Sequence, residues 1–119
     1  MKNIAMPGAG KFLDGFSLNP GTNIGGWSIK DVNAGETTVK RNHDYQYPIT
    51  IIICPISNGN MSDPVSTLNQ YTSGERTIKS DYGNPYSCSI KGWSITNNTK
   101  DGCVTLQAMG ESHRIYNKW

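Results

Sequence analysis

This 119-residue chain predicts an all-β domain, a small antiparallel β-sandwich or jelly roll of roughly six to eight strands. Three observations carry that expectation. Twelve Ile and four Val stand against four Leu and four Ala, with ten Thr beside them. β-Branched side chains fit a pleated surface and are stiff in a helix. Twelve Asn, thirteen Gly and six Pro supply turn residues for many short connections. Apolar residues recur with period two, so each strand buries one face and wets the other, as antiparallel sheets do.

Residues 1–23, punctuated by Pro7, Gly8, Gly10, Gly15, Pro20 and Gly21, read as an irregular N-terminal arm with at most a short strand around Phe12 to Leu18. Residues 24–119 read as the single β-sandwich domain. Within it Ile24-Gly25-Gly26-Trp27-Ser28-Ile29 is echoed by Ile90-Lys91-Gly92-Trp93-Ser94-Ile95. Trp27 shares a face with Ile29, and Trp93 with Ile95, so both tryptophans are expected in the core. A second echo pairs Gly35 to Lys40 with Gly74 to Lys79 and sets Val39 and Ile78 on equivalent buried faces.

The two echoes have different offsets, which rules out one tandem repeat. Ile49 to Ile53, interrupted only by Thr50, reads as a near-continuous apolar run and so as the central strand. Ser57 to Asn60 is a turn. Ser62 or Asp63 as cap, Pro64 at the first helical position, and Val65 with Leu68 on one face give at most one short helical turn near 63–70. Asn97 to Gly102 is a polar loop joining the Trp93 strand to Cys103-Val104-Thr105-Leu106 as a hairpin. A closed barrel is the rival architecture.

Eleven basic and nine acidic residues give a formal charge of +2, and the charges are scattered. No basic stripe exists to displace counterions from phosphates, so no nucleic-acid partner is expected. The stretch before Pro7 has no apolar h-region, which predicts synthesis in the cytoplasm without a signal peptide, with lysis or a non-classical route as the way out. Cys54, Cys88 and Cys103 form no close pair. Free, mostly buried thiols are expected, with a Cys88–Cys103 bridge the alternative if those strands are neighbours.

No catalytic constellation, cofactor motif or metal set emerges. Pro7 to Phe12 resembles the end of a phosphate-binding loop but has Ala5 in place of the first Gly and Phe12 in place of the hydroxyl residue. His43 and His113 have only Asp44 and Glu111 near them in sequence, too few for a zinc site. The turn at Asn97 to Gly102 is oxygen-rich but reads as solvated. A Cys/His nucleophile pair would have to assemble from distant strands. No enzyme activity, cofactor or metal is therefore expected.

The aromatic residues beside turns are the candidate site. Tyr45, Tyr47, Tyr82 and Tyr86 flank two Pro-containing turns, where amphipathic rings suit sugar faces, lipid headgroups or a protein partner. If both turns lie at one end of a sandwich, the four form one ligand-binding patch. The expected function is a non-enzymatic recognition module for a glycan or membrane surface, similar in style to small lectins or β-sandwich toxin components by fold-level analogy. The alternatives are a self-assembling virion or appendage subunit, exchanging its N-terminal arm to form a homo-oligomer, and an inhibitor or immunity protein acting by contact.

Overall fold

The computed structural model describes residues 8–40, 44–56, 62–80, 83, 85–99 and 101–115. The first seven residues, the Ser57 to Asn60 turn, His43 and Tyr82 lie outside them. In chain order the elements are α1 (Ala9–Gly15), β1 (Asn23–Ile24), β2 (Trp27–Ala34), β3 (Thr38–Lys40), β4 (Asp44–Pro55), α2 (Pro64–Tyr71), β5 (Arg76–Lys79), β6 (Pro85–Asn98) and β7 (Val104–Arg114).

The strands are antiparallel as expected, but they form one sheet. Its order is β1-β2-β4-β7-β6-β5, with β3 pairing the start of β4. The sheet curls into a half-barrel, and in place of a second sheet two short helices lie against it, α1 beside β5 and α2 beside β6. Strand β4 is central, antiparallel to β2, β3 and β7.

The period-two reading holds along most of the sheet. Tyr45, Tyr47, Ile49, Ile51 and Ile53 of β4 are buried on the concave face, and the residues between them are half-buried. Opposite them, Val104, Leu106 and Ala108 of β7 face the same way. Strand β6 begins in step with Tyr86, Cys88 and Ile90, then shifts register between Lys91 and Ser94 and again between Ile95 and Asn97. Those bulges explain a departure: Trp93 is buried as expected, but Ile95 is 42% exposed. Val39 departs too, at 56% exposed, because three-residue β3 lies at a sheet edge that no described residue covers.

The largest correction concerns residues 8–23. Residues 9–15 form a helix where an irregular arm is expected, and Phe12, Phe16 and Leu18 belong to the core, each at most 1% exposed, while 19–21 remain an exposed connection. The helix signal was weak because α1 has two glycines, no side-chain cap and seven residues, too few to be stable alone. Tertiary packing holds it. Phe12 stacks on Tyr47 at 4.3 Å between ring centroids and contacts Phe16 at 5.4 Å. Gly110 makes that docking possible, because a Cβ there would stand 2.4 Å from Phe12 Cζ.

The cysteines pair differently from either expectation. Cys54 near the end of β4 is bonded to Cys103, which leads into β7, and Cys88 is a free, buried thiol. The register aligns Ile53 with Val104 at the end of the β4/β7 ladder, so the two cysteines beyond it meet. No helix among the described residues is long and apolar enough to cross a membrane.

Candidate binding groove

The structure brings three of the four candidate tyrosines together but turns them inward. Tyr45, Tyr47 and Tyr86 are fully buried, and the Tyr45 and Tyr86 rings lie 5.8 Å apart. They sit on strands, not on the turns, at inward positions of the pleat, so these three make no exposed aromatic patch. Tyr82 lies outside the described residues.

Their cluster is polar at its heart. The Tyr45 and Tyr86 hydroxyls and Ser112 Oγ are buried with no well-formed hydrogen bond among the described residues, although Tyr45 stands near enough to Tyr86, and Ser112 to Tyr47, for each pair to interact. Burial pushes the Tyr47 phenol up to about 12, with nearby Ser112 offsetting part of the effect. It pushes Tyr86 the same way, with the Tyr45 phenol adding to it. Burial also pushes the Cys88 thiol up to about 12, which leaves it a poor nucleophile at neutral pH.

Because the folded chain keeps the Tyr47 proton to about 12 while the unfolded chain releases it near 10, this contribution is whole below pH 10 and lost as pH rises toward 12. Denaturant titrations across that interval are expected to show the loss. Tyr86→Phe, which removes a buried hydroxyl that has no well-formed hydrogen bond among the described residues, is expected to raise stability at neutral pH by about 1 kcal/mol and soften the alkaline loss. A destabilised Tyr86→Phe would mean that this hydroxyl has a partner.

The histidine region is an outer-face polar row. His113 Nδ1 lies 3.0 Å from Asp44 Oδ1, and its Nε2 is 3.9 Å from Glu111 Oε1, whose other oxygen accepts from Gln46 Nε2 at 3.0 Å. Ser87 stands opposite His113 in the β6/β7 ladder, but its hydroxyl donates to Glu75 Oε1 at 3.1 Å. Among the described residues no three His, Cys, Asp or Glu side chains are placed to hold a metal ion. In the hairpin after β6, Thr99 Oγ1 accepts from Cys103 N and the Gly102 amide donates to Thr99 O.

A concave surface forms instead where the β1–β2 turn meets α2. Ile24 pairs with Trp27 across a two-residue turn whose glycines, Gly25 and Gly26, have φ of 53° and 86°. Positive φ at both central residues is what the tight primed hairpin turn requires. A Cβ at Gly25 would also stand 3.1 Å from Thr67 Cγ2, so the turn and helix approach closely there.

Helix α2 begins at Pro64, and Asp63 caps it by accepting from Ser66 N at 2.9 Å. The echoed tryptophans hold both its ends. Trp27 Nε1 donates to Ser62 O at 2.9 Å, just before the helix, and Trp93 Nε1 donates to Thr72 Oγ1 at 3.0 Å, at its C-cap. The echo is thus a clamp on one helix.

Between turn and helix lies a groove of about 410 Å³, within the size range of small-ligand sites. Ile24 and Gly25 form one wall. Ser62, Ser66, Thr67, Gln70 and Tyr71 form the other. Ser66 with Gln70, and Thr67 with Tyr71, are spaced four apart and so stack in two columns along one helix face. Tyr71 is half-buried, its ring steadied by a hydroxyl that donates to Ser17 O at 3.0 Å. Among the described residues no charged side chain lines the groove. It can offer hydroxyl and amide groups plus an aromatic surface to a neutral, hydroxyl-rich ligand.

The sequence reading missed this site. The capping residues and the Val65/Leu68 face mark α2 as a helix, but its polar columns carry no motif that singles them out as a site. Compared with family models, curated proteins and solved structures, the chain matches none.

Proposed function

We propose that this chain is a non-enzymatic recognition module that binds a carbohydrate in the groove between the β1–β2 turn and α2. The observation that carries the reading is the lining itself: among the described residues it is hydroxyl, amide and aromatic side chains with no charge. Sugars present hydroxyls that exchange hydrogen bonds with such groups and apolar C–H faces that rest on aromatic rings. A lipid phosphate would be matched by cationic side chains, and the described lining has none. The Cys54–Cys103 bond fits a protein that works in oxidising surroundings, where surface glycans are displayed, whatever its route there.

A glycan array followed by calorimetry on the tightest ligand tests the reading. Gln70→Ala leaves the fold untouched, since Gln70 is exposed. It is expected to weaken binding about tenfold, the cost of a lost hydrogen bond to a desolvated partner. Unchanged affinity in Gln70→Ala and Ser66→Ala would place the ligand elsewhere. Binding to phospholipid vesicles with silence on the array would overturn the glycan assignment.

A further inference from the structure

We infer that two copies of this chain associate edge to edge along β6, joining their sheets about a two-fold axis near Ile95. Strand β5 pairs β6 only from Pro85 to Cys88, so beyond it the outer edge of β6 has no strand beside it among the described residues. Ser94 to Asn98 are all exposed there.

An open edge offers unpaired backbone donors and acceptors to another chain, and proteins blunt such edges with charge, proline or short length. The other edges are blunted in those ways. β5 carries Arg76 and Lys79, β3 is three residues ending in Lys40, β2 carries Lys30 and Asp31, and β1 is two residues long. From Gly92 to Asn98, β6 has neither charge nor proline, and it exposes Ile95.

A second copy is the occupant that fits. Across a two-fold axis an edge meets itself, so a charged edge would oppose its own charges while this neutral one does not. Antiparallel pairing centred on Ile95 sets Ile95 beside Ile95 and Ser94 beside Thr96. It also brings Asn98 of each copy to Gly92 of the other, at the mouth of a groove of about 420 Å³ lined in part by Asn69, Ser73, Glu75 and Lys91. The Asn98 amide can both donate and accept, which suits that mixed lining. The register bulges turn this stretch away from β7's even pairing, and the same twist limits growth past one partner.

The test is sedimentation over a wide concentration range together with cysteine cross-linking, with no sugar present, so the result stands apart from the carbohydrate assignment. The wild type is expected to double its mass as concentration rises, and Ile95→Lys to remain monomeric and to melt as the dilute, monomeric wild type does. Ile95→Cys is expected to form a disulfide-linked dimer under mild oxidation, while Val39→Cys, on another edge, is not. A wild type that stays monomeric, an Ile95→Lys protein that still dimerises, or equal cross-linking at both positions would overturn the inference.

Discussion

Phe12→Ala is expected to cost about 3–5 kcal/mol, the usual range for emptying a buried phenylalanine site. Total stabilities of small domains are about 5–15 kcal/mol, so the variant stands close to unfolding at moderate temperature. The ring is fully buried, stacked on Tyr47 and seated over Gly110, where no side chain intervenes. Gly110→Ala attacks the same contact from the sheet side. Its Cβ would fall 2.4 and 2.5 Å from two Phe12 ring carbons and 3.1 Å from Ile49 Cδ1. A rigid ring cannot give way as a flexible chain would, so α1 must lift, at about 1–3 kcal/mol. In the Phe12→Ala background the same methyl enters space the ring has vacated, and Gly110→Ala is expected to cost nearly nothing. Denaturant unfolding of the four proteins gives the coupling directly. Additive losses would mean that α1 does not sit on Gly110.

Breaking Cys54–Cys103 is the second large effect. The bond closes a loop with a sequence separation of 49, for which chain entropy alone corresponds to about 4 kcal/mol. For a domain of this size that is a fall in Tm on the order of 15 °C. Cys54→Ala with Cys103→Ala, or reduction of the wild type, is expected to show it. Cys88→Ala is expected to leave the redox response intact, because Cys88 takes no part in the bond. If reduction leaves Tm unchanged, Cys54 and Cys103 are not joined in the folded protein.

Much of the sheet was legible in the sequence because its signals are local. Period-two alternation placed Trp27 and Ile29 of β2, Trp93 of β6 and Ile78 of β5 inward, Ile49 to Ile53 read as a central strand, and the Asn97 to Gly102 hairpin and the short α2 followed from turn and cap residues. What escaped was decided by distant contacts. Helix α1 has poor intrinsic propensity and exists because Phe12 and Phe16 find a concave sheet to cover. Val39 and Ile95 carry the same alternation as buried residues, yet one is on an uncovered edge and the other sits between bulges. The cysteine pairing depended on the β4/β7 register, which spacing alone does not reveal.

The tyrosines failed as a surface site for a related reason. Tyr45 and Tyr47 stand beside Pro48, which reads as a turn, but Pro48 lies within twelve-residue β4, half-buried. The groove was hidden because its two walls are some forty residues apart in sequence, Gly25 on one side and Ser66 on the other. Its helix wall was readable as two polar columns. Its position was not, since that depends on Trp27 and Trp93 reaching opposite ends of α2.

Backbone amide NMR during titration with the neutral oligosaccharide that binds best tests the central claim most directly. The largest chemical-shift changes are expected at Gly25, Ser66, Thr67, Gln70 and Tyr71, with the outer face around His113 unmoved. Changes centred on another surface, or none at saturating sugar, would contradict the assignment of this groove as the binding site.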